Sequence, residues 1–213
     1  MAGDPFPAVN VEPALTAGYV TNDALPQYVR SLLDAAVSTD STWLEHRRFQ
    51  LPRLGLNVWF ASPEFRRLCE AGILETDDPQ TLSDATIYAL HAEPGRWPAP
   101  LQWHGAADVT GRVFDRTLSD RGLRGCHYGY CWKIYDPAAR IGVQSLASPR
   151  AIPPWETASP LQVFMHWAYA AAGLRLTHAA ALGQGGVGAL LVGAGGSGKS
   201  GTTRAGLLHG LER

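Results

Sequence analysis

The sequence predicts a chain of mixed α+β and α/β class: a strand-rich N-terminal domain over residues 26–152, then the first part of an α/β domain over 153–213, with residues 1–25 as an extended, mobile arm. Three observations carry this. Between about 84 and 147 the apolar residues recur with a period near two, the signature of strands with one face inside. Before and after that stretch the period is helical. Near the C-terminus, five residues fit for a buried strand, Gly188 to Val192, run into a glycine-rich loop and then a helix-forming segment. With 213 residues, 46% of them apolar, the chain is long enough to bury a real core.

In chain order, residues 1–25 carry prolines at 5, 7 and 13 and little periodicity, which gives the extended arm. Leu25 to Val37 places apolar residues at 25, 28, 29, 32, 33 and 36, with Pro26 tolerable in a first turn, and is predicted as an amphipathic helix. Trp43 to Phe60 mixes aromatic, aliphatic and proline residues without one dominant period. Ser62 to Gly72 is a second helix by its punctuation: Ser62 at the N-cap, Pro63 at the first position, Gly72 after the end. Four strands follow at 84–91, 111–117, 128–135 and 140–146, the last two joined by a turn at Asp136-Pro137, and they are expected to form an antiparallel sheet. The loop at 92–105, with Trp97 and Trp103 among prolines, reads as a structured insertion, because disordered segments are poor in aromatics. Pro149 to Pro154 makes a linker, and Thr157 to Gly173 returns to helical spacing with Gly173 as its stop. Leu174 to Leu182 and Val187 to Val192 are then two strands joined by a glycine-rich turn.

The loop that follows carries the chemistry. Gly193-Ala194-Gly195-Gly196-Ser197-Gly198-Lys199-Ser200 fits G-x-x-x-x-G-K-S, in the strand-before, helix-after context that a phosphate-binding loop requires. Its glycines allow a tight turn with successive N–H groups aimed inward, where a β-carbon would meet a phosphate. Lys199 is placed to reach the β- and γ-phosphates, Ser200 offers a hydroxyl to Mg²⁺, and the helix N-terminus adds partial positive charge. Gly201 closes the candidate site at a cost of about 1 kcal/mol to the helix relative to Ala.

Residues 174–213 resemble the nucleotide domain of HPr kinase/phosphorylase and its relatives, the HPr-kinase-like serine kinases. The resemblance rests on Thr177-His178-Ala-Ala-Ala-Leu182, the glycine turn, Ala189-Leu-Leu-Val-Gly193, the loop itself and a helix ending Leu207-Leu-His-Gly-Leu-Glu212. It implies ATP and Mg²⁺ as cofactors and phosphoryl transfer to a serine of a protein or peptide. By the same resemblance, Gly193 to Ser200 hold nucleotide, Lys199 is catalytic, and His178 matches a histidine on the γ-phosphate side of the site; Gly201, also counted with the nucleotide-binding residues, stands where relatives usually place Thr or Glu. The family's general-base Asp lies on a strand after this helix, which 1–213 does not reach. The expectation is therefore an incomplete, truncated kinase domain, inactive in this form, with an apolar edge that invites association, including with a second copy.

Two other classes stay open on the residues alone: a peptide- or protein-binding module whose nucleotide site is vestigial or regulatory, and a generic ATPase. The balance of 18 Lys+Arg against 19 Asp+Glu gives a net charge of -1 and no basic stripe, which argues against nucleic acid. No apolar run approaches a bilayer span of ~20 residues. Three cysteines, an odd number, and the absence of a leader-like N-terminus point to a cytoplasmic location. Cys126 and Cys131 flank His127, but no second Cys/His pair stands at ligand spacing, so packed thiols are expected rather than zinc. His46-Arg47-Arg48 reads as a solvated charged patch, and His104, His127, His166 and His209 carry no motif.

Overall fold

The computed structural model describes residues 18–77, 83–103, 113–114, 118, 122–152 and 154–212. The chain divides after Leu174 into two units, the second running from Arg175 onward. The boundary expected at 152/153 is thus displaced. The intervening helix, Gln162–Ala171, drives Phe164 and Ala168 into the core of the first unit and cannot be separated from it.

The first unit is built on one seven-stranded sheet. Glu45–Leu51 (β2) and Leu54–Phe60 (β3) form an antiparallel hairpin, closed by Pro52-Arg53 with Arg53 at φ 61°. This accounts for the mixed character of 43–60: β3 is buried along most of its length and so shows no alternation. The helix Pro63–Gly72 then crosses over one face to Ser83–His91 (β4), which pairs parallel to β3. Its start follows the expected cap: Ser62 Oγ accepts from the N–H of Phe65 at 3.2 Å, and Glu64 lies in the first turn. Gly72 has another role from the one expected. It is the last helical residue, and a β-carbon there would sit 2.8 Å from the Pro160 ring, so the glycine permits a close approach rather than a left-handed stop.

Ile141–Leu146 (β9) pairs parallel to β4 and antiparallel to Cys131–Asp136 (β8); Arg124–Tyr128 (β7) and Val113–Phe114 (β6) complete the order β2-β3-β4-β9-β8-β7-β6. The sheet is mixed, not purely antiparallel, because two of its pairings are parallel and one of these is spanned by the helix crossover. The single strand expected at 128–135 is instead broken by a hairpin turn, with Cys131 onward forming β8: Gly129 (φ 53°) and Tyr130 reverse the chain between Tyr128 and Cys131. The Asp136 turn stands as expected, with Oδ1 accepting from Ala138 and Ala139 at 2.9 and 3.1 Å. Of the strand expected at 111–117, residues 113–114 are described and the rest lie outside the described residues.

Helices cover both faces. Leu25–Val37 (α1) packs Leu25, Tyr28, Val29, Leu32, Leu33 and Ala36 against Trp132, Ile134 and Val143, each large side chain contributing about 1.5–3 kcal/mol by burial. The helices Pro63–Gly72 (α2) and Gln162–Ala171 (α3) cover the other face over Leu56, Val58, Ile87 and Tyr135. Gly173 (φ 74°) ends α3 as expected, with Leu174 N–H donating to the Tyr169 carbonyl at 2.8 Å.

The arm expected at 1–25 is tied down where it is described. Tyr19–Val20 (β1) pairs parallel with Gln102–Trp103 (β5), and Val20 is buried; residues 1–17 lie outside the described residues. Indole N–H groups fix the aromatic insertion: Trp97 to Ser145 Oγ, Trp103 to Asn22 Oδ1 and Trp132 to the Leu101 carbonyl, at 2.8, 2.8 and 2.6 Å.

The second unit pairs Ala179–Gln184 (β10) antiparallel with Val187–Val192 (β11) across Gly185 and Gly186, both at positive φ, and follows them with Lys199–Leu208 (α4). The strand expected from Leu174 begins at Ala179. Gly206 lets α4 approach β10, since a β-carbon there would lie 2.7 Å from Leu182, and Gly183 exchanges two 2.8 Å backbone hydrogen bonds with Glu212 on the outer edge of β10. Among the described residues no strand pairs with the other edge of β11, and Val187, Leu190 and Val192 are 77%, 63% and 64% exposed.

Candidate functional site

The site is the turn that carries the chain from β11 into α4. Gly193 lets Ser197 curl back over the start of the loop: a β-carbon at 193 would lie 2.7 Å from Ser197 Oγ and would make that hydroxyl shift. A turn follows, with Ser197 N–H donating to the Ala194 carbonyl at 3.2 Å. Gly196 (φ 77°) and Gly198 (φ 85°) take left-handed conformations, Gly198 at the N-cap of α4. A β-carbon on Gly195, Gly196 or Gly198 would meet nothing within 4 Å, so the space over these three glycines is open.

Lys199 closes the loop on itself. Its Nζ donates to the carbonyls of Gly193 and Ala194 at 2.7 and 2.8 Å and to Ser197 Oγ at 3.5 Å. The ammonium therefore sits inside the ring of backbone that the glycines make possible, with the carbonyls of the first two loop residues turned toward it. Helix α4 starts cleanly behind it: Thr202 N–H donates to the Gly198 carbonyl at 2.9 Å, and Thr203 Oγ1 donates to the Lys199 carbonyl at 2.9 Å. Ser200 and Gly201 lie exposed in the first turn. A groove of about 360 Å³ includes part of the loop, lined by Leu190, Leu191, Val192, Ser197, Lys199 and Thr202.

His178 precedes β10. The register Ala179↔Val192 brings it to the end of the hairpin from which Gly193 departs, and its side chain is exposed. The structure thus gathers Gly193, Ala194, Gly195, Gly196, Ser197, Gly198, Lys199, Ser200 and Gly201 into one turn and sets His178 at the same end of the sheet.

A larger groove, of about 550 Å³, lies in the first unit along α1, lined by Pro26, Gln27, Arg30, Ser31, Asp34 and Leu123. Among the described residues that line it, Arg30 is the one cation, paired with Asp136 at 2.7 Å, and no convergent set of reactive groups is present. Size does not locate the chemistry here.

The other candidates resolve by burial. Cys69, Cys126 and Cys131 are buried; burial pushes the Cys131 thiol up to about 12 and raises Cys69 as well, which removes the thiolate that reactivity needs at these two. Among the described residues no group of three or more His, Cys, Asp or Glu side chains is placed to hold a metal ion. His127 is buried with its ring 4.6 Å from Trp132, His166 and His209 are exposed, and His104 lies outside the described residues. The 46–48 patch is exposed: Arg47 pairs with Glu75 at 3.3 Å, Arg48 with Asp84 at 3.0 Å, and His46 packs on Trp59. No described helix is long and apolar enough to cross a membrane.

Sequence reasoning missed one cluster. Lys133 on β8 donates to Glu156, whose second oxygen accepts from Leu161 N–H at 2.8 Å; both side chains are buried, and Lys133 Nζ lies 5.7 Å from the Phe164 ring centre. The available signal was a lysine inside the run Cys131-Trp-Lys-Ile-Tyr135, where a fully buried strand has room for a charge only if it is paired. A scan against protein-family models and searches of curated proteins and of solved structures find no match to this chain.

Proposed function

We propose that the loop from Gly193 to Ser200 binds the phosphates of ATP with Mg²⁺, and that the protein is an HPr-kinase-like serine kinase acting on a protein or peptide. The observation that supports this most is the position of Lys199: its ammonium lies within the loop, against the Gly193 and Ala194 carbonyls, beside three glycines with open space above them. An anion seated over Gly195, Gly196 and Gly198 has a cation, the N-terminus of a ten-residue helix and unobstructed backbone around it. Bound ATP supplies the phosphoryl group. Lys199 neutralises charge on the phosphates, Ser200 in the first turn of α4 holds Mg²⁺ through its hydroxyl, and the loop backbone orients the chain of phosphates. His178, at the same end of the hairpin, is assigned to the γ-phosphate side by the family resemblance.

Calorimetric titration with Mg-ATP tests the binding half of the proposal. Lys199→Ala is expected to weaken affinity about 10- to 150-fold, the equivalent of ~1.5–3 kcal/mol for a charge-assisted contact. Equal affinity in wild type and variant would overturn the loop assignment. In a longer form that carries the family's general-base Asp, labelled γ-phosphate tests the transfer half: incorporation into serine of a protein or peptide supports a kinase, whereas release as free phosphate alone marks an ATPase. His178→Ala is expected to lower transfer while leaving Mg-ATP affinity within about twofold, a split that a merely structural histidine would not produce.

A further inference from the structure

We draw no further inference here: the strongest candidate, the open edge and exposed apolar face of β11 in the second unit, carries nothing because nothing in the structure shows what covers it.

Discussion

Lys133 and Glu156 illustrate how much one residue depends on its partner. Neither charge has water to fall back on, so removing one leaves the other buried and uncompensated, at about 3–5 kcal/mol. Glu156→Ala is expected to lower the stability of the first unit by that amount in chemical denaturation, and the double change Lys133→Met, Glu156→Leu to recover most of it. A loss below about 1 kcal/mol in the single variant would show that the pair is hydrated in solution. The buried acids give a second prediction at this scale. Burial raises Cys131, Tyr28 and Tyr135 to about 12, from ordinary values of 9.0 for the thiol and 10.0 for the phenols. As pH climbs, the unfolded chain releases these protons before the folded one does. Stability is therefore full below about pH 9 and falls between 9 and 12. Denaturation midpoints measured across that range should decline, and a flat profile to pH 11 would contradict the burial of these groups.

The helices divide according to what their glycines meet. Gly201 lies in the first turn of α4 with open space around its Cα, whereas Gly72 ends α2 against the Pro160 ring. Replacing Gly201 by Ala removes a helix penalty of about 0.5–1 kcal/mol and introduces no clash. The same change at Gly72 brings that helical gain together with a β-carbon 2.8 Å from Pro160, so the packing term decides. Thermal unfolding should show Gly201→Ala raising the midpoint of the second unit and Gly72→Ala lowering that of the first. Opposite signs would mean that Pro160 gives way easily.

The chain holds two units that differ in how much of their apolar surface is buried. The first closes its sheet between helices on both faces; the second is a two-stranded hairpin with one helix, in which Leu182 is buried while Val187 and Leu208 are each 77% exposed. A strand of six uncharged residues whose outer edge is unpaired among the described residues favours association between molecules. Val187→Lys with Leu208→Glu, at the far ends of the strand and helix that flank the Gly193–Ser200 loop, is expected to reduce concentration-dependent light scattering while Mg-ATP binding persists. Unchanged scattering would place the association elsewhere. Limited proteolysis is expected to cut between Leu174 and Ala179, where the backbone belongs to neither sheet.

By itself the sequence determined what local chemistry controls. Six apolar positions on one helical stripe produced α1, Ser62 and Pro63 started α2, Gly173 ended α3, and the order of glycines from 193 to 198 produced the turn that receives Lys199. Each of these is settled within one or two turns of chain. Tertiary structure alone decided the rest. The parallel pairing of β3 with β4 and of β4 with β9 joins segments far apart in sequence, and strands buried on both faces lose the alternation that would reveal their register. The hairpin at Gly129-Tyr130 was hidden for the same reason, because the run from Tyr128 to Tyr135 looks uniformly strand-like until a partner fixes where it folds. The boundary moved from 152 to 174 because α3 finds its apolar partners on a sheet whose strands lie earlier in the chain, and no local signal in 153–174 names that sheet.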